Sequence, residues 1–142
     1  MDHAKTVEQL RTVPLFKDFS DEDLGQIAQM TKHVEFAAGH TVANQGEMGV
    51  GFHQIMEGSA DVIQDGTKIG QLRPGDYFGE ISLIDGGTRS ATVTTTSPTT
   101  TLSIAVWDFT RLLEHQPGLM RKLLIGLCHM LRTQRGQQPD QG

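Results

Sequence analysis

Glu80, Ser82, Arg89 and Ser90 have the types and spacing to hold a ligand. Arg89 offers a rigid planar fork of donors that suits phosphate oxygens. Ser90 adds a hydroxyl beside it. Glu80 is acceptor-only when ionised, so it cannot hold a phosphate but can hold a sugar hydroxyl. Gly79, directly before it, lets backbone come close to a ligand. Glu80-Ile81-Ser82-Leu83-Ile84 fits one short helical turn, whose first N–H groups favour a negative group. An anion site with a hydroxyl acceptor beside it reads as a nucleotide pocket.

Each residue also has a plainer reading. Arg89 alone would be a surface arginine, and Glu80 a turn-solvating carboxylate. Serine is common in turns, and tight turns use glycine. Their company within one short stretch favours the pocket. Other chemistries find less support. The six histidines, His3, His33, His40, His53, His115 and His129, lack the paired spacing of a metal site, so structural or solvent roles are expected. The one cysteine, Cys128, excludes an internal disulfide and a multi-cysteine metal site. On a long helix it reads as a small buried hydrophobe. Ser82 and Ser103 lack a G-x-S-x-G setting. No P-loop or G-x-G-x-x-G fingerprint is present, and the carboxylates are scattered. No catalytic residue, metal or cofactor is assigned.

The elements that must position the stretch can be read in order. Thr6 to Arg11 has helical composition, and Pro14 ends it. Ser20 opens a second helix as N-cap, with Asp21, Glu22 and Asp23 in its first turn. From His33 the apolar period changes to two. Val34 to Phe36, Thr41-Val42, Phe52 to Met56 and Ala60 to Gln64 read as strands, punctuated by glycines. Asp65-Gly66 is a strong hairpin signal, with Thr67 to Leu72 returning. Pro74-Gly75-Asp76 turns into the candidate stretch. Ala91 to Thr96 and Thr100 to Val106 read as two more strands, separated at Ser97-Pro98. Trp107 to His115 predicts a short helix. Leu119 to Arg135 predicts the longest, with Leu123, Leu124, Leu127, Met130 and Leu131 on one side. Short strands between glycine turns predict a small antiparallel barrel or jelly roll. Gly136 to Gly142 reads as a polar, frayed tail.

Phe78-Gly79-Glu80-Ile81-Ser82-Leu83 and Arg89-Ser90-Ala91-Thr92-Val93 together resemble the phosphate-binding cassette of the cyclic-nucleotide-binding domains. That family includes protein kinase A regulatory subunits, catabolite-activator-type bacterial regulators and cyclic-nucleotide-gated channels. Its cassette has the form F-G-E-[LI]-[AS]-L, a short loop, then R-[AST]-A-T-V. The likeness extends through the upstream glycines over roughly residues 10–135. One departure is Thr88, where proline is frequent.

The resemblance implies a mainly β fold, a double-stranded β-helix (jelly-roll) barrel with flanking helices, forming one domain over residues 1–135. Within it, N-terminal helices cover about 6–32, the β-roll about 33–106 and C-terminal helices about 107–135. It implies ligand contacts from Phe78, Gly79, Glu80, Ile81, Ser82, Arg89, Ser90 and Ala91. Thr133, Gln134 and Arg135 sit where the family's covering helix would meet the base. Members favouring cGMP often carry threonine at the Ser90 position, whereas cAMP-binding bacterial members carry serine; cAMP is therefore favoured, with cGMP open. The function implied is ligand sensing by a C-terminal helix that moves on binding. A same-fold interaction module that binds no nucleotide is the alternative. A phosphodiesterase would need a metal cluster or activated water, and the sequence shows neither.

Composition sets the remaining bounds. The chain has 142 residues, which suits one core. A net charge of −5 gives no support to a nucleic-acid partner. No apolar run approaches ~20 residues, so no membrane span is expected, and Met1 to Lys5 lacks a signal core. A cytoplasmic setting is the expectation. Met120, Leu124, Leu127 and Leu131 fall near a/d spacing over fewer than two heptads, so a homodimer or effector contact through the C-terminal helix stays open.

Overall fold

The computed structural model describes residues 2–136, the side chain of Arg135 excepted. The tail expected at Gly136 to Gly142 therefore lies, from residue 137 onward, outside the described residues. The chain divides into two units: Met30–Thr110, which carries all the strands among the described residues, and Met1–Gln29 with Arg111–Gly142, whose described elements are helices.

In the β unit, eight strands form two four-stranded antiparallel sheets. They are β1 (Lys32–Phe36), β2 (Thr41–Ala43), β3 (Gly51–Glu57), β4 (Ala60–Gln64), β5 (Thr67–Leu72), β6 (Tyr77–Phe78), β7 (Thr92–Thr95) and β8 (Thr99–Ala105). One sheet has the order β1-β8-β3-β6 and the other β2-β7-β4-β5. Strands drawn alternately from the two halves of the chain give the jelly roll, so the expected fold class is present. The strands are hydrogen-bonded as two sheets rather than one closed ring. The β4–β5 hairpin turns at Asp65-Gly66, both at positive φ (52° and 79°), as a two-residue primed turn requires.

Phe52, Ile55, Leu102 and Ile104 are fully or almost fully buried on β3 and β8. A second cluster joins Ala43, Ala60 and Val93 of one sheet to Phe78 of the other, with Leu72. Register explains its shape. Val93 lies opposite Ala43 on one side and Val62 on the other, while Val62 faces Gly70. Small residues at both ends of this row leave space above it.

The helical unit holds α1 (His3–Arg11), a 3-10 turn at Pro14–Phe16, α2 (Asp21–Met30) and α5 (Pro117–Gly136). The α1 helix starts earlier than Thr6, because the Asp2 carboxylate accepts from the Lys5 N–H and caps it. Ser20 caps α2: its hydroxyl accepts from the Asp23 N–H while the Asp23 carboxylate accepts from the Ser20 N–H, a reciprocal box. The residues of α4 (Val106–His115) are shared out, Val106–Thr110 to the β unit and Arg111–His115 to the helical one, and α3 (Ser82–Asp85) belongs to the β unit. No helix among the described residues is long and apolar enough to cross a membrane.

Two expectations for α5 need correction. Its buried face is Leu119, Leu123 and Gly126, a β-carbon at Gly126 falling 2.7 Å from the Leu15 carbonyl. Leu124 and Leu131 are exposed instead, because they project about 100° further round the helix. Cys128, two residues and about 200° round from Gly126, is exposed and is not a buried hydrophobe.

Candidate functional site

A cavity of about 500 Å³ opens in the β unit. Its apolar floor is the row above, Ala43, Val62 and Val93, with Leu72; Phe78 stands beside it. All eight residues expected from the cassette, Phe78, Gly79, Glu80, Ile81, Ser82, Arg89, Ser90 and Ala91, line this one space. Tyr77, Asp85 and Thr88 join them. A volume of this size with an apolar floor and a few convergent polar groups suits a small organic ligand.

The cassette is held from below. Gln54, fully buried on β3, donates to the Gly75 carbonyl at 3.2 Å, and Ile55 exchanges backbone bonds with Gly75 and Asp76. These bonds place β6, whose two residues pair with His53 and Gln54. After Phe78 the chain turns at Gly79, with φ of 86°. The short α3 turn follows and stops at Gly86, also at positive φ.

Arg89 is fixed on three sides. Its guanidinium donates to the Gly51 carbonyl and lies over the Phe78 ring, 5.8 Å from the centroid. Its backbone pairs with the 46–47 loop: the Gly46 N–H donates to the Arg89 carbonyl at 2.9 Å, and the Arg89 N–H to the Glu47 carbonyl at 2.8 Å. Two glycines leave room for the side chain. A β-carbon at Gly49 would fall 2.8 Å from Arg89 Nε and 2.7 Å from Ser82 Oγ, and one at Gly79 would overlap the guanidinium. Burial pulls the Arg89 pKa below its ordinary value, opposed by the Glu80 carboxylate. Arg89 is thus a half-buried cation with carbonyl and ring partners and no ion pair of its own among the described residues.

His53 on β3 shares the Phe78 ring with Arg89, a proximity that its place in the sequence does not show. His53 stacks on Phe78 at 5.2 Å, meets the Phe36 ring edge-on at 5.9 Å, and places Nδ1 3.0 Å from Thr101 Oγ1. Burial, aided by the Arg89 charge, lowers its pKa to about 4, so it is neutral in ordinary buffers. Its ring packs within the β unit and adjoins the site. Among the described residues no cluster of three or more His, Cys, Asp or Glu side chains could hold a metal ion.

Thr133 and Gln134 lie on α5, exposed, in the helical unit. The Thr133 hydroxyl donates to the His129 carbonyl of its own helix at 3.0 Å. The Arg135 side chain is outside the described residues. Every residue lining the 500 Å³ cavity belongs to the β unit.

Comparison with known proteins gives three concordant results. The family model described as "Cyclic nucleotide-binding domain" matches residues 33–116. The cAMP-dependent protein kinase regulatory subunit of Eremothecium gossypii is 36% identical over 105 residues, covering 73% of this chain and 23% of that protein. Among solved structures, the N-terminal domain of a transcriptional regulator from Streptomyces coelicolor is similar with a TM-score of 0.81 at 27% identity, covering 93% of this chain and 95% of that one. The regulatory domain of Toxoplasma gondii PKA, crystallised with cAMP, has a TM-score of 0.67 at 25% identity, covering 84% and 48%. The chain thus spans about a quarter of the curated relative's length.

Proposed function

Since the chain belongs to the cyclic nucleotide-binding domain family, we propose that it is a regulatory receptor domain binding cAMP in preference to cGMP. The observation that carries the reading is the convergence of Arg89, Glu80 and the cassette backbone on one cavity with an apolar floor. Arg89 would hold the cyclic phosphate, Glu80 the ribose hydroxyl, and the Val62–Val93 row the apolar face of the base. Ser90 beside Arg89, and the cAMP named for both protein kinase relatives, support cAMP. The chain would act by binding rather than by catalysis, in a cytoplasmic setting.

The same proposal includes a response of α5. Met120, Leu124 and Leu131 are exposed large apolar residues on that helix, at 46%, 58% and 58%. Apolar groups left in water gain from any state that covers them, and a ligand shifts such an equilibrium through differential affinity. Thr133, Gln134 and Arg135 are the proposed base contacts. An effector protein or a second copy would read the change through α5. Amide hydrogen exchange with and without cAMP tests both parts. Added protection over Gly79 to Thr92 and over Leu119 to Arg135 is expected. Protection confined to the cassette would leave a receptor without a responding helix, and no change at either would remove the reading.

A further inference from the structure

The backbone of Arg89-Ser90-Ala91 is held at two successive carbonyls by different parts of the chain. The Arg89 carbonyl accepts from the Gly46 N–H at 2.9 Å. The Ser90 carbonyl accepts from Gln64 Nε2 at 3.1 Å. Gln64 ends β4, immediately before the Asp65-Gly66 turn, and that turn is itself fastened. Gln45 Nε2 donates to Asp65 Oδ1 at 2.8 Å, and the Asp65 N–H donates to Gln45 Oε1 at 2.9 Å. The Gln45 N–H donates to Thr92 Oγ1 at 3.0 Å, within the second half of the cassette. One glutamine side chain thus satisfies both a donor and an acceptor of Asp65, while its backbone reaches β7.

A trans peptide is planar, with its C=O and N–H on opposite sides. Fixing the Ser90 carbonyl on Gln64 therefore fixes the direction of the Ala91 N–H, and Ala91 is a wall residue of the cavity. The Ser90 carbonyl is turned toward the hairpin, where Gln64 holds it. A carbonyl swung the other way would repel a phosphate and withdraw a donor at once. Asp65 sits at positive φ, an uncommon state for a non-glycine residue; the Gln45 clasp holds it there.

We propose that Gln64, clasped in place by Gln45 and Asp65, is a positioning residue for the anion cradle, acting through the Ser90–Ala91 peptide. This rests on the cyclic nucleotide reading of the same cavity. What it requires of residue 64 is a side-chain donor, not merely bulk. Gln64→Glu keeps size but loses the donor at neutral pH, and Gln64→Lys restores one on a longer stem.

The test is calorimetric titration of the full chain with cAMP for wild type, Gln64→Ala, Gln64→Glu, Gln64→Lys and Arg89→Ala. Thermal midpoints and the Ala91 amide ¹⁵N–¹H shift are recorded for each. Gln64→Ala and Gln64→Glu should each weaken binding about 3- to 10-fold, the scale of one hydrogen bond, with an altered Ala91 signal. Gln64→Lys should recover most of the loss. If every Gln64 variant binds as wild type while Arg89→Ala does not, the site stands and the positioning role is overturned. Affinity losses that merely track a falling thermal midpoint, with no rescue by lysine, also overturn it. If wild type binds neither cAMP nor cGMP, the cyclic nucleotide reading fails first and the positioning role falls with it.

Discussion

Gly79 lies so close to Arg89 that a β-carbon at position 79 would overlap the guanidinium and fall 2.5 Å from the Gly51 carbonyl. The same residue has φ of 86°, which an L side chain rarely adopts. Gly79→Ala should therefore act twice. It should cost about 1–3 kcal/mol of stability through backbone strain, read as a lower denaturant midpoint. It should also displace Arg89 and weaken nucleotide binding. An unaltered midpoint and affinity would mean that the cassette relaxes without consequence.

Arg89 is the cation that lines the cavity. Arg89→Ala should weaken cyclic nucleotide binding by roughly 2–5 kcal/mol, about 30- to 5,000-fold. Arg89→Lys should also lose affinity, because an ammonium cannot reproduce a bidentate fork. Equilibrium titration of both variants checks the order wild type, then lysine, then alanine.

Glu80 gives a ligand-side test. If its carboxylate accepts from the ribose 2′-hydroxyl, a 2′-deoxy cyclic nucleotide should bind less well by about 1–3 kcal/mol, since the carboxylate loses its donor. Competition between the two ligands on wild-type protein reads this without a mutation. Equal affinities would assign Glu80 to the turn alone.

His53 sets a pH dependence of stability. Its folded pKa is about 4, against 6.5 when exposed. Above pH 6.5 neither state holds the extra proton, and the full stability is present. Between about 6.5 and 4 the unfolded chain takes up the proton and the folded chain does not, so stability falls as pH drops. Below about 4 both are protonated and this contribution levels off. The window is worth roughly 3 kcal/mol. Chemical denaturation across pH 4–7 should show the slope, and His53→Phe should flatten it while keeping a ring against Phe78.

Much of this was legible in the sequence because its cause is local. Ser20 with Asp23 is a cap that needs no tertiary partner, and Asp65-Gly66 is a turn by its own backbone preference. The cassette residues lie close together in the chain, so a pattern could gather them. What failed to show depends on register or helical phase. Val62, Val93 and Ala43 form one row only after three strands align, past a bulge between Thr41 and Ala43. Tyr77-Phe78 is a strand only because His53 and Gln54 pair with it. The same pairing brings His53 against the site. Cys128 reads as buried by residue type but is exposed by helical phase: it lies two residues, about 200°, round α5 from buried Gly126.

Calorimetric titration of the full chain with cAMP, repeated with cGMP, tests nucleotide binding most directly. A saturable single-site isotherm for cAMP is expected, weaker for cGMP and lost in Arg89→Ala. The absence of any saturable heat with either nucleotide, from folded protein, would contradict the binding site and leave the jelly roll as an interaction module without a nucleotide.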